Sequence, residues 1–269
     1  MLKNSFSIFP GIGPRTERRL WASGVLTWDD FLGSRAVHGL SAERKAMLDL
    51  HVASAKSAMD SGDTAHLARL LGPSGAWRLW STLADDAVCL DIETDGRSAS
   101  DGMVTVVGVY SHGEYRSYVQ GRDLAVPSLK DELEGAKLLV TYFGGGFDLP
   151  YLKACYPGLK LDAPHFDLCP AGHKVGLKGG LKKVEKIVGI TREAEVEGMS
   201  GYEAVLLWQA YLQGAKGALD TLISYNREDT VNLHTLAWII YEKLREATGL
   251  PGILKAEAVP KERYPETWI

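Results

Sequence analysis

The sequence contains few of the features that mark disulfide-bonded, zinc-binding or membrane-spanning proteins. Only three of its 269 residues are cysteines, and no two of them form a C-x-x-C pair, which excludes a disulfide framework and leaves no zinc signature. No run of about 18 apolar residues is present that would cross a bilayer, and residues 1–10 lack the apolar core of a signal peptide. We therefore expect a cytoplasmic protein with no membrane partner.

The chain also lacks a strong excess of charge of either sign. Its formal net charge of -4 argues against indiscriminate binding of polyanions, so any contact with nucleic acid must come from local basic patches. No repeat or low-complexity segment divides the sequence. At 269 residues, its length allows one large globular domain or two modest ones.

What the sequence does contain is a short apolar run that carries two acids one residue apart. Residues 87–95 read A-V-C-L-D-I-E-T-D, and their aliphatic and β-branched side chains predict a buried strand. The two-residue period of a strand places Asp91 and Glu93 on the same face. Adjacent buried carboxylates repel each other and lose hydration, which favours a divalent cation between them. The alternative is that the acids simply end the strand and face water.

The segments around this strand predict a helical region followed by a mixed α/β domain. Residues 35–80 have helical periodicity, and a domain boundary is expected between residues 72 and 85. The following segments read β-β-β-α-β, with amphipathic helices after them. The further predicted strands are 103–110, 114–120 and 137–143, and the predicted helices are 128–136, a stretch beginning at 166–168, 201–213, 215–224 and 225–247.

Two further acids are candidates for the same site. Asp148 follows three glycines and Phe147 at a predicted helix start, so it is either a helix cap or a ligand. Tyr225 and Asp229 lie four residues apart in the last predicted helix, and this spacing puts them on one face.

The first candidate for a nucleic-acid contact lies near the N-terminus. Residues 7–32 place a Gly-Ile-Gly turn before one predicted helix, and Thr27 is predicted to cap a second one. This pattern resembles a helix-hairpin-helix nucleic-acid-binding motif, in which backbone N–H groups beside the glycines approach a phosphate. The candidate phosphate-binding residues are Gly11, Gly13, Arg15 and Arg18. Glycine-turn helix pairs also serve as plain packing units, so that interpretation stays open.

A second candidate contact is a group of lysines between the acidic motifs. Its members are Lys174, Lys178, Lys182 and Lys183. We expect Lys178 and Lys182 to contact the substrate backbone, the alternative being that the lysines form a solvated face.

Three short patterns, taken together, resemble the motifs of the DEDD 3′-5′ exonuclease superfamily, also called DnaQ-like, in its tyrosine-bearing branch. They are D-I-E at 91–93, F-D at 147–148 and Y-x-x-x-D at 225–229. The segments F-D-L near 166, L-K-K-V-E-K-I-V-G-I at 181–190 and G-Y-E-A-V-L-L-W at 201–208 further resemble the YprB-type ribonuclease H-like domain. The resemblance implies an α/β fold, with a ribonuclease H-like mixed sheet flanked by helices. A small all-α, helix-hairpin-helix-like domain would precede it.

The resemblance also implies a role for each of five residues. Asp91 would bridge two divalent cations, Mg²⁺ or Mn²⁺, and Glu93 and Asp229 would complete the first cation site. Asp148 would serve the second cation through water, and Tyr225 would orient or help deprotonate the attacking water at the first cation. Such a centre hydrolyses phosphodiester bonds by a two-metal-ion mechanism.

One position departs from the pattern of these relatives. They usually carry Asn-Gly ahead of the second motif, where this sequence has Phe143-Gly144. The amide that would contact the terminal nucleotide is therefore absent, whereas no metal ligand is lost.

The function that follows is a 3′-5′ exonuclease acting on single-stranded or frayed ends of DNA or RNA. Three parts are expected: a nucleic-acid-binding helical module at 1–80, an exonuclease domain at 85–249 and a C-terminal arm at 250–269. The alternatives are a non-catalytic nucleic-acid-binding protein and a structure-specific endonuclease on the same scaffold. Intact acids argue against the non-catalytic protein, because negative charge beside a phosphate backbone weakens binding unless a cation is held there.

Overall fold

The computed structural model of the protein describes residues 1–250 and Gly252. These residues form two compact units, Met1–Thr82 together with the described residues from Tyr241 onward, and Leu83–Ile240. The predicted arm at 250–269 lies outside the described residues except for Leu250 and Gly252. Within the described part, no helix is both long and apolar enough to cross a bilayer.

The N-terminal region is helical, as predicted. Its α-helices are α1 (Pro14–Ala22), α2 (Trp28–Gly33), α3 (Ala42–Ser61), α4 (Thr64–Leu71) and α5 (Trp80–Leu83), with 3-10 helices at Leu2–Asn4 and Pro73–Leu79. The predicted cap Thr27 begins α2, where its side chain accepts the N–H of Asp30 in a capping box. Trp21, Trp28 and Phe31 are buried.

The second unit is built on a mixed sheet that has five strands among the described residues. They are β1 (Ala87–Thr94), β2 (Val104–Ser111), β3 (Glu114–Val119), β4 (Leu138–Thr141) and β5 (His165–Asp167), in the order β3-β2-β1-β4-β5. The central strand β1 pairs antiparallel with β2 and parallel with β4. The predicted mixed pairing is confirmed, and β5 is an addition where a helix start was expected. Three residues are too few to show the alternation that predicts a strand.

Helices flank this sheet, which confirms the ribonuclease H-like α/β fold. They are α6 (Val126–Leu133), α7 (Asp148–Cys155), α8 (Leu168–His173), α9 (Leu181–Val188), α10 (Gly201–Leu212) and α11 (Ala218–Thr248). Val88, Leu90 and Ile92 of β1 pack in one core with residues of α6 and α7. Val106 of β2 packs in a second core with residues of α10 and α11. The alternate residues of β1, Asp91 among them, therefore point towards α11.

The last helix differs from the prediction in being continuous. Two helices were expected, with a break between residues 224 and 225, but α11 runs unbroken from Ala218 to Thr248. Its sequence contains neither glycine nor proline, so nothing in it forces a break. Tyr225 and Asp229 consequently lie within a helix rather than near the start of one.

Candidate metal centre

Three acids of the second unit converge beside the central strand. Asp91 and Glu93 come from β1 and Asp229 from α11, and each offers a carboxylate oxygen within 4.8 Å of the others. Glu93 and Asp229 are buried, and Asp91 is half-buried. The alternation along β1 turns both of its acids to the side on which α11 packs. The structure thus brings together three of the four predicted metal ligands.

Asn226 connects α11 to these acids. Its Nδ2 donates a hydrogen bond to Asp91 Oδ2 at 2.9 Å and lies 3.4 Å from Glu93 Oε1. Its Oδ1 accepts a hydrogen bond of 2.9 Å from the Tyr115 hydroxyl, and the side chain is fully buried. Because both ends of the amide are engaged, its orientation is fixed. Asn226 therefore holds the β1 acids in place from the helix side.

The close approach of α11 depends on a glycine in the neighbouring strand. Gly108 of β2 pairs with Asp91 in the sheet register. A Cβ at this position would collide with Asn226 Oδ1 and with the Thr230 hydroxyl. The missing side chain is thus what allows the Asn226 amide to reach the acids.

Asp148 lies beside the three-acid group rather than within it. It is the first residue of α7, is buried, and its Oδ1 accepts the backbone N–H of Ile92 at 3.1 Å. It lines the same cleft of about 560 Å³ as the other three acids. The carboxylate is thereby tied to β1 between the two acids of that strand.

Tyr225 is buried in the same cleft, with its hydroxyl group paired to a lysine. Lys182 Nζ donates hydrogen bonds to the Tyr225 hydroxyl and to the Met199 carbonyl. The same ammonium lies 4.2 Å from the centroid of the tyrosine ring. Lys182, predicted to contact the substrate backbone, is therefore half-buried against Tyr225, whereas Lys178 is exposed in the segment between α8 and α9.

A buried arginine lies behind the acids. Arg192, in the loop after α9, contacts Asp229 Oδ1 and forms a bidentate pair with Glu185 of α9. Neither this residue nor Asn226 was predicted from the sequence. A detectable signal was Glu185 itself, which shares the apolar face of α9 with Leu181 and Val188 and so required a buried partner.

The acids resist ionisation in the absence of a cation. Burial, together with the charges of Asp229 and Asp148, raises the pKa of Asp91 well above its ordinary value. Burial and the charge of Asp229 do the same to the pKa of Glu93. Burial raises the pKa of Asp148 to about 7, although its hydrogen bond with the Ile92 N–H favours the charged form. Nearby positive charge would reverse these shifts.

The donor set fits hard divalent cations. Carboxylate oxygens are the ligands that Mg²⁺ and Mn²⁺ prefer, and no histidine or cysteine belongs to the group of three acids. Burial of several acids without enough local positive charge is costly, which a bound cation would relieve. The residues present therefore fit the predicted cofactor.

Aromatic side chains surround the mouth of the cleft. Phe143, Phe147 and Tyr202 line it and are 57%, 43% and 70% exposed. Phe143 has a φ of +65°, in the left-handed region that a bulky residue rarely adopts. Asp167 fixes this turn by accepting the N–H groups of Phe143 at 2.8 Å and Gly145 at 3.0 Å.

The predicted phosphate-binding turn lies in the first unit. Gly11 has a φ of +70°, and its carbonyl accepts a hydrogen bond from the Arg44 guanidinium. The other candidate residues, Gly13, Arg15 and Arg18, are exposed at the start of α1. Among the described residues before the turn, the helical structure is the 3-10 helix Leu2–Asn4 and not an α-helix. The helix-hairpin-helix interpretation stays a prediction.

The mixed sheet, its flanking helices and the acids beside β1 define a ribonuclease H-like domain. The family model described as the RNase_H superfamily matches residues 88–241, more than half of the chain. The chain therefore belongs to the RNase_H superfamily.

No curated protein matches the chain. A similar solved structure is that of the family B DNA polymerase from the hyperthermophilic archaeon Pyrobaculum calidifontis, with 20% identity and a TM-score of 0.47. The match covers 59% of this chain and 24% of the polymerase chain, so this protein spans about a quarter of that structure's length.

Proposed function

We propose that this protein is a metal-dependent nuclease, and specifically a 3′-5′ exonuclease of the DEDD type in its tyrosine-bearing branch, with a YprB-type domain. The observation that carries the proposal is the group formed by Asp91, Glu93 and Asp229, with oxygens within 4.8 Å of one another, in a chain of the RNase_H superfamily. Nucleic acid is the substrate class this superfamily implies, and membership alone does not specify the direction of attack.

Four acids of the chain would hold the cofactor, two Mg²⁺ or Mn²⁺ ions. Asp91 would be shared between the two ions, Glu93 and Asp229 would complete one site, and Asp148 would serve the other. When bound, such ions lower the pKa of a water molecule and neutralise charge that develops on the phosphate and on the leaving 3′ oxygen.

Tyr225 acts in this proposal as a hydrogen-bond donor and not as a base. Burial and the neighbouring charge of Asp229 raise the pKa of its hydroxyl group far above the ordinary value. The group therefore stays protonated near neutral pH and is suited to orienting a water molecule. Lys182 supports this role because it fixes the hydroxyl oxygen from the other side.

The remaining predicted contacts complete the proposal. Residues 1–80 would form a nucleic-acid-binding module in which the turn from Gly11 to Gly13, with Arg15 and Arg18, contacts phosphates. Lys178, which is exposed, would contact the backbone of the strand that enters the cleft. Residues 85–249 would form the exonuclease domain.

The test uses single-stranded DNA and RNA oligonucleotides of matched sequence, labelled at either end and incubated with and without Mn²⁺. We expect stepwise shortening of 5′-labelled strands and release of nucleoside 5′-monophosphates. Asp91→Asn and Asp229→Asn should each lower the rate by more than about a hundredfold, the upper limit for residues that only support a ligand. Asp131→Asn, which changes an exposed acid of α6, is the matched control.

Undiminished digestion by both site variants would refute the nuclease proposal. Cleavage of a circular single strand, which has no end, would instead assign the endonuclease alternative. Retention of labelled strands in gel shifts without any Mn²⁺-stimulated cleavage would assign the non-catalytic alternative.

A further inference from the structure

Arg192 belongs to a buried ionic chain that ends on one of the candidate metal ligands. Its Nε donates to Glu185 Oε2 at 2.7 Å and its Nη2 to Glu185 Oε1 at 2.9 Å. Nη2 also contacts Asp229 Oδ1. The side chains of Arg192 and Glu185 are only 6% and 1% exposed.

Glu185 is itself fixed from α11. Asn232, three residues after Asp229 on that helix, donates from Nδ2 to Glu185 Oε1 at 3.1 Å. Glu185 therefore has hydrogen bonds from two sides and holds the guanidinium plane in one orientation. Because a bidentate guanidinium is planar and rigid, the nitrogen that contacts Asp229 has little freedom to move.

The pairing also keeps the charge of this ionic chain in balance. A guanidinium is not deprotonated in proteins, so Arg192 is always positive. An unpaired guanidinium next to Asp229 would repel a divalent cation. The negative charge of Glu185 cancels this repulsion, so that Asp229 keeps a fixed partner while the site as a whole stays attractive to cations.

We infer that Arg192 is a positioning residue of the metal centre, held by Glu185 so that it orients the Asp229 carboxylate for divalent cations. This inference rests on the proposed function, because it assumes that Asp229 is a metal ligand. Groups that hold metal ligands from behind typically change metal affinity by about 10- to 100-fold when they are removed.

The test measures Mn²⁺ affinity by titration calorimetry and bound Mn²⁺ by electron paramagnetic resonance, without any substrate. We expect Arg192→Gln and Arg192→Lys each to weaken Mn²⁺ binding by about 10- to 100-fold. Lysine keeps the positive charge but lacks the planar guanidinium group. If Arg192→Lys binds Mn²⁺ as weakly as Arg192→Gln does, the arginine acts through its geometry and not through its charge alone. Arg116→Gln removes a bidentate arginine pair elsewhere in this unit, with Glu132 at 2.6 Å and 2.9 Å, and should leave Mn²⁺ affinity unchanged.

A second variant separates an effect on Mn²⁺ binding from a loss of folding. Glu185→Met/Arg192→Met replaces both charges with apolar side chains, which avoids leaving one buried charge unpaired. If the inference holds, this variant is folded by circular dichroism and still binds Mn²⁺ at least 10-fold more weakly than the wild type. Wild-type affinity in the double variant, or equal or tighter binding by Arg192→Gln, would overturn the positioning role.

The proposed function has its own control in the same experiment. Asp91→Asn removes a metal ligand directly and should abolish Mn²⁺ binding. A wild-type protein that binds no Mn²⁺, or an Asp91→Asn variant that binds as the wild type does, overturns the metal centre and this inference with it. If Asp91→Asn abolishes Mn²⁺ binding but the Arg192 variants bind as the wild type does, the positioning role of Arg192 is overturned and the metal centre stands.

Discussion

At the scale of single residues, the centre depends on an amide that donates where carboxylates only accept. Asn226 gives its Nδ2 hydrogens to the β1 acids and takes a hydrogen from Tyr115. An aspartate in its place would have the same shape but would offer an acceptor to each acid. Identity at this position is therefore set by the direction of the hydrogen bonds and not by size.

We accordingly expect Asn226→Asp to lower the free energy of unfolding of the metal-free protein by about 1–3 kcal/mol, since a buried donor is lost and a further carboxyl group must be buried. Urea unfolding followed by circular dichroism measures the change. Gln213→Glu makes the same chemical change at an exposed position after α10 and should cost little. Equal effects of the two substitutions would show that the Asn226 hydrogen bonds contribute nothing.

Phe143 shows a different residue-level conflict, between side-chain size and backbone conformation. Its φ of +65° is costly for phenylalanine and much less so for asparagine. Asparagine is the usual residue here in the exonuclease family that the sequence resembles. We expect Phe143→Asn to raise the free energy of unfolding by up to about 1 kcal/mol. Phe143→Val should lower it, because a β-branched residue tolerates this region least. Thermal unfolding of both variants tests this, and a valine variant more stable than the asparagine variant would contradict it.

At the scale of elements, the site exists because α11 packs closely against β2 and β1. The contact between Gly108 and the helix residues Asn226 and Thr230 sets this distance. The two-residue period of β1 then places Asp91 and Glu93 on the face where Asp229 of α11 lies.

Gly108→Ala should therefore disturb the candidate metal centre although it replaces none of the acids. We expect a loss of about 1–3 kcal/mol in the free energy of unfolding, the usual cost of overpacking, and weaker Mn²⁺ binding because α11 must move away. Calorimetric titration and urea unfolding provide both values. Gly135→Ala is the matched control, because a Cβ there meets no atom within 4 Å. Unchanged Mn²⁺ affinity in Gly108→Ala would show that the spacing is not critical.

The helices and strands also differ in how well the sequence alone predicted them. The alternation in residues 87–95 predicted both a buried strand and the shared face of Asp91 and Glu93, because that information is local. The three-residue strand β5 and the unbroken α11 were not predicted. The ion pairs of Arg192 were not predicted either. The position of Glu185 on the apolar face of α9 indicates that it needs a buried partner, but no local pattern identifies that partner.

At the scale of the whole molecule, the acids make the metal-free fold sensitive to pH. Burial raises the pKa of Asp148 to about 7, and burial and neighbouring charges raise the pKa values of Asp91 and Glu93. Raised folded-state pKa values mean that the folded protein binds more protons than the unfolded chain. The contribution of these groups to the free energy of unfolding is therefore greatest at acidic pH. It is lost as the pH rises through their folded-state pKa values.

We expect the metal-free protein to lose on the order of a few kcal/mol of unfolding free energy between about pH 5 and pH 8. Mn²⁺ should restore more stability at pH 8 than at pH 5, because cations must displace protons from the acids. Urea unfolding across this range, with chelator or with Mn²⁺, measures both effects. Asp148→Asn should flatten the metal-free profile, and an identical slope in that variant would contradict the assignment of the shift to Asp148.

The Asn226 amide bonds to an acid that lies 135 residues earlier in the chain. During translation, the ribosome must therefore complete β1, both of its sheet neighbours and the first part of α11 before this contact can form. A growing polypeptide that ends short of Asp229 carries Asp91 and Glu93 without their helix partner. The three acids therefore come together only late in synthesis.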